Sequence, residues 1–83
     1  MSYNTQKQIN RICEYRGLPA IKKGMRCEVD GKPGKVVGGN NSANLNVIFD
    51  GWKCASNCHP YWKMKIFNDD GSVFFDSELM GSE

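Results

Sequence analysis

Cysteine and histidine are the residue types here best able to do chemistry, and they bunch at Cys54, Cys58 and His59, with Cys13 and Cys27 upstream. Cys54-x3-Cys58 meets the spacing of one arm of a zinc knuckle, and Cys27 with His59 would complete a four-ligand set. Zinc sites of this kind need paired arms, however, and no second arm is present. Neighbours in a strand also point to opposite faces, so Cys58 and His59 converge only in a turn. The set Cys27, Cys54, Cys58 and His59 is therefore not assigned as a metal site, and no cofactor is expected. As a general base His59, the single histidine, would need a nucleophile and an orienting acid, and no paired motif supplies them. Its expected role is structural. Pro60 fixes its own φ and pushes His59 toward extended geometry, where the ring can hydrogen-bond the backbone at the turn. Gly31-x-x-Gly34 and Gly38-Gly39 do not make a phosphate cradle, because strand-like residues follow them where a helix would be needed. The chain is read as non-catalytic, with no small-molecule substrate.

Aromatic residues offer a better handle. Along Tyr61–Phe67 a period of two assigns Trp62, Met64 and Ile66 to a core, and Tyr61, Lys63, Lys65 and Phe67 to the opposite face. Lysines among aromatic rings hold single-stranded nucleic acid, with bases stacked on the rings and ammonium groups on phosphates. The same lysines equally serve as guards against edge-to-edge aggregation of a sheet. Trp52 beside Lys53 is a second stacking position. The candidate binding residues are thus Trp52, Lys53, Tyr61, Lys63, Lys65 and Phe67.

These residues must be positioned by a small β-rich domain. Met25, Cys27 and Val29 alternate with Arg26, Glu28 and Asp30, and Leu45, Val47 and Phe49 with Asn46, Ile48 and Asp50. That is the mark of half-buried antiparallel strands. The spacing predicts strands at about 25–30, 35–38, 45–50, 61–67 and 73–76, with a brief one at 52–55. Turns fall at Asp30-Gly31, Asp50-Gly51 and Asn68–Gly71. The 39–44 loop of small polar residues should be the most mobile part. Ahead of the strands, Asn4 or Thr5 can cap a helix over 5–16 whose stripe is Ile9, Ile12 and Cys13; Gly17 and Pro19 end it. The expected architecture is mainly β: one domain over 1–83, with helix 5–16, a small SH3-like barrel of about five antiparallel strands over 21–76, and a frayed acidic tail at 77–83. The expected core is Val29, Val36, Leu45, Val47, Phe49, Trp62, Met64 and Ile66.

The 83 residues carry a net charge of +2, unevenly spread. Residues 1–68 hold every Lys and Arg and stand at +7, while residues 69–83 hold five acids and no base. A basic body with an acidic end suits either a polyanion-binding surface or a well-solvated domain. No apolar run approaches the roughly 18 residues of a membrane helix. The polar opening MSYNTQKQIN does not read as a secretion signal. A cytoplasmic setting is expected, and with it reduced cysteines.

Gly24–Gly38, a hydrophobic–polar strand followed by Gly31, Gly34 and Val36-Val37, resembles the KOW-type segment of SH3-like barrels. The order GLPAIKKGMR (Gly17–Arg26), DGKPGKVVG (Asp30–Gly38), LNVIFDG (Leu45–Gly51) and CHPYWKMKIF (Cys58–Phe67) is similar to a family of small phage and prophage proteins. That family carries a GVPAKRG-R lead-in and a late HPTW-V-Y strand; Tyr61 here replaces its Thr, and Phe67 lies near its aromatic. The resemblance implies a phage origin, a bacterial host cytoplasm and an SH3-like barrel, and carries over no catalytic residue. The expected function is a binding module for a host or phage protein, with weak, salt-sensitive nucleic-acid binding as the alternative.

Overall fold

The structure is a computed structural model that describes residues 5–80. Its first element, α1 (Gln6–Arg16), starts where the Thr5 side chain accepts the Gln8 N–H at 3.2 Å. It stops at Gly17, whose φ of 69° is left-handed and whose N–H returns to the Cys13 carbonyl. A residue with a Cβ would resist that conformation. The stripe Ile9, Ile12 and Cys13 is buried, as its spacing requires.

Six strands follow: β1 (Arg26–Val29), β2 (Lys32–Gly39), β3 (Leu45–Phe49), β4 (Ser56–Cys58), β5 (Met64–Phe67) and β6 (Val73–Asp76). They form one antiparallel sheet in the order β4-β3-β2-β1-β5-β6. The fold is mainly β with an N-terminal helix. The expected barrel is not closed, because β4 and β6 are the two edges of the sheet, and the strands number six rather than five.

Register and burial agree across the centre of the sheet. Cys27 faces Gly34 and Ile66, Val29 faces Met64, Val36 faces Val47, and Leu45 faces Cys58. One face of these rows, with Ile9, Ile12, Leu18, Ile21 and Phe75, makes a single core. Gly39 lets α1 lie directly on β2: a Cβ there would run into Ile12 and stand 3.1 Å from the Gln8 carbonyl.

The structure corrects the expected elements in several places. β2 takes in Pro33 and Gly34 and reaches Gly39, so that strand is longer than the 35–38 expected. Residues 52–55 form no strand; the Trp52 N–H closes a turn onto the Phe49 carbonyl, and pairing resumes only at Ser56. β5 begins at Met64, since 60–63 is a turn closed by the Trp62 N–H on the His59 carbonyl. Trp62 leaves the expected core and is 52% exposed, while Phe49 is only partly buried against it. The end expected to fray instead forms α2 (Ser77–Met80), anchored by buried Ser77, whose hydroxyl accepts the Met64 N–H at 2.9 Å. The rest of that expected tail, 81–83, lies outside the described residues.

Candidate binding site

At one end of the sheet the tips of β1 and β3, the start of β2, and β4 with the turn after it enclose a cleft of about 260 Å³. Val29, Phe49 and Trp62 give it apolar walls; Lys32, Asn57 and His59 give it polar ones. Trp52 packs edge-on against Phe49, with ring centroids 5.4 Å apart, and is itself 58% exposed. Each ring left half in water forgoes part of the free energy that burial would supply.

A conformational break explains why Trp62 points out. Period two would place it beside Met64 and Ile66 in the core. Lys63 instead adopts φ of 50°, a left-handed residue inserted just before β5, and this reverses the alternation. Asp30, at φ 55°, is left-handed too. The two residues hold one another. The Asp30 N–H donates to the Lys63 carbonyl at 3.0 Å, and the Lys63 ammonium lies 3.6 Å from the Asp30 carboxylate. That ammonium also sits 5.5 Å from the centre of the Trp62 ring, within cation–π range. Left-handed backbone costs a lysine on the order of 1–2 kcal/mol, whereas Asp30 adopts it readily as the first residue of the Asp30-Gly31 turn; Ala43, at φ 60° in the 40–44 loop, is the third such residue. Such strain gathers where function needs a side chain aimed against the fold's own preference.

His59 is fixed by its neighbours. Its Nδ1 accepts the Tyr61 N–H at 3.1 Å, so the neutral ring carries its proton on Nε2. Partial burial, and then the Arg16 charge, hold its pKa below the ordinary histidine value. Tyr61 is part of the frame: its hydroxyl donates to the Arg16 carbonyl at 2.7 Å and its ring meets Phe75 edge-on at 6.0 Å.

The candidate residues named from the sequence do not gather on one basic face. Trp52 and Lys53 lie together, exposed, at the end of β3. Tyr61 is half-buried and turned to the core, and Phe67 is half-buried opposite Val73. Lys63 and Lys65 share a groove with Glu28, Asp30, Asp76 and Glu78, and Lys65 lies between Glu28 on β1 and Asp76 on β6. Four carboxylates around two ammonium groups cancel the positive field that phosphates would need. Trp62, missed as a site residue, carried no sequence signal of its exposure, because nothing in Tyr61-Trp62-Lys63-Met64 announces a left-handed lysine.

The potential zinc ligands are dispersed. Cys27 and Cys58 are buried, Cys54 is exposed, and among the described residues no three of His, Cys, Asp or Glu gather to hold an ion. Burial, with the Cys58 thiol as a further cause, pushes Cys27 up to about 12, which keeps it protonated and unreactive. A larger hollow, about 720 Å³, lies between α1 and the 40–44 loop. The loop is tied down rather than loose: Arg16 donates to the Ala43 carbonyl at 2.6 Å and to Asn44 at 3.2 Å, and the Asn40 side chain accepts from the backbone of Ser42 and Asn44. No family model, curated protein or solved structure matches the chain.

Proposed function

We propose that the protein is a non-catalytic module that binds another protein through the cleft flanked by Trp52 and Trp62. One observation carries the reading. Trp62 stands 52% exposed in the turn before β5, beside a left-handed lysine and over an apolar cleft, although the sequence pattern on either side would bury it. Tryptophan anchors of this kind supply most of the energy of many protein interfaces. The cleft is smaller than the roughly 300–1,000 Å³ of typical small-molecule pockets, and suits one anchoring side chain better than a free ligand. The carboxylates around Lys63 and Lys65 favour a protein partner over nucleic acid. With the resemblance to small phage proteins, this makes the chain a phage-encoded factor acting on a host or phage protein in the bacterial cytoplasm.

The test is affinity capture from nuclease-treated bacterial lysate with the natural chain, Trp52→Ala and Trp62→Ala, each checked for an unchanged melting transition. A partner should survive nuclease and fall by about tenfold or more with either substitution, the size expected for loss of an interface anchor. Capture indifferent to both substitutions, or abolished by nuclease, would overturn the reading.

A further inference from the structure

We propose that the partner segment seated in the Trp62 cleft is acidic: one large apolar side chain, flanked by Asp or Glu, that enters between Phe49 and Trp62. The inference rests on the reading of this cleft as the binding surface and goes on to the chemistry that its rim selects.

The rim offers donors. Lys32 lines the cleft and has no carboxylate within ion-pair distance among the described residues. The neutral His59 ring presents Nε2–H, because Nδ1 is occupied by the Tyr61 N–H. Asn57 also lines the cleft, with its side-chain oxygen accepting from the Asn40 amide at 2.9 Å. The one carboxylate on the lining, Asp30, is already answered by Lys63. An ammonium and an imidazole N–H beside an apolar floor complement a side chain that brings carboxylate oxygens with it. A basic segment would meet Lys32 and find Asp30 engaged.

The experiment uses nitrogen-15-labelled full chain and three unlabelled peptides: acetyl-Gly-Glu-Trp-Glu-Gly-amide, the same peptide with both Glu as Lys, and the same peptide with Trp as Ala. Amide and indole shifts detect binding even at millimolar affinity. The acidic tryptophan peptide should move the indole signals of Trp52 and Trp62 and the amides of 29–32 and 56–59. The lysine peptide should bind at least tenfold more weakly and the alanine peptide not measurably. Lys32→Glu, an exposed substitution that leaves the core untouched, should narrow or reverse the preference. If the lysine peptide binds as tightly as the acidic one, or Lys32→Glu leaves the preference unchanged, the acidic assignment fails while the cleft stands as the binding surface. If no peptide moves the cleft signals, both fall. Cleft signals that move with protein concentration alone would make the occupant a second copy of the chain and overturn the assignment as well.

Discussion

Between Arg26 and Phe49 the chain puts Cys27, Val29, Val36, Leu45 and Val47 into the core, and its alternation is interrupted only at the irregularity between Val36 and Gly38 in β2. Between Trp52 and Lys63 two tryptophans stay more than half exposed, with a left-handed lysine beside one of them. Both stretches are rich in aromatic or branched residues, so composition does not separate them. The contrast is that the first region buries its apolar strand residues, whereas the second leaves two of its largest more than half in water. Exposed rings of that size at an apolar cleft are where an interaction is best sought.

The sharpest way to break this comparison is to truncate one large residue in each region. Ile66 is fully buried between β1 and β6, so Ile66→Ala should cost about 3 kcal/mol by denaturant unfolding, for lost burial and the cavity left behind. Trp62→Ala removes a larger side chain yet should cost less than about 1 kcal/mol, because its ring is already half in water. Comparable losses for the two would mean that Trp62 packs as core after all. Next in size is Gly39→Ala, which forces α1 away from β2 at Ile12 and Gln8. A loss of about 1–3 kcal/mol is expected, as for other overpacked contacts, with Trp52 and Trp62 emission unchanged.

Lys63 allows a direct test of the strain. Glycine adopts φ near 50° freely, whereas a β-branched residue there is a marked outlier. Lys63→Gly should therefore be neutral or stabilising by up to about 1 kcal/mol: relief of left-handed strain set against the extra freedom glycine has when unfolded. Lys63→Val should destabilise by about 1–2 kcal/mol. The loss of the exposed Asp30 ion pair is common to both and small. Equal stability for the glycine and valine variants would remove the claim that strain holds Trp62 outward.

The sequence made the regular half legible and the other half only partly so. α1 could be placed from Thr5, the Ile9-Ile12-Cys13 stripe and Gly17, because caps and periodicity are local signals. Asp30-Gly31 marked its turn for the same reason, with both residues at positive φ. The mainly β class followed from alternation, but closure did not, because whether β4 reaches β6 depends on curvature summed over the whole sheet. Trp62 was misplaced because the alternation argument assumes an unbroken strand, and one left-handed residue reverses it. Lys63 and Lys65 looked like a basic face because Asp30 and Asp76, which face them, come from other strands. Trp52 was nominated for its place beside Lys53, although the brief strand expected at 52–55 does not form and it stands exposed in a turn instead.

Two of the cysteines differ in the same way, although Cys58, on β4 in the second region, is buried. Cys27 lies in the regular region with its thiol held up to about 12 by burial, while Cys54 lies exposed in the irregular one. Above the ordinary thiol value of 9.0 an unfolded Cys27 ionises and a folded one does not, so the unfolded state is favoured as pH rises from 9 toward 12. For this group alone the loss should be about 1 kcal/mol at pH 10, and it should vanish in Cys27→Val, which keeps the site apolar at similar volume. The difference between the two proteins' stabilities at pH 8 and pH 10 isolates the Cys27 contribution from every group the two share. Below pH 9 the effect is absent, and iodoacetamide at pH 8 should alkylate Cys54 in the folded protein while sparing Cys27, with no change in melting temperature. Alkylation of Cys27 at a similar rate would mean that the β1–β2–β5 centre opens as readily as the Trp52 turn. The division between a closed, pattern-obeying half and an open, strained one would then not hold.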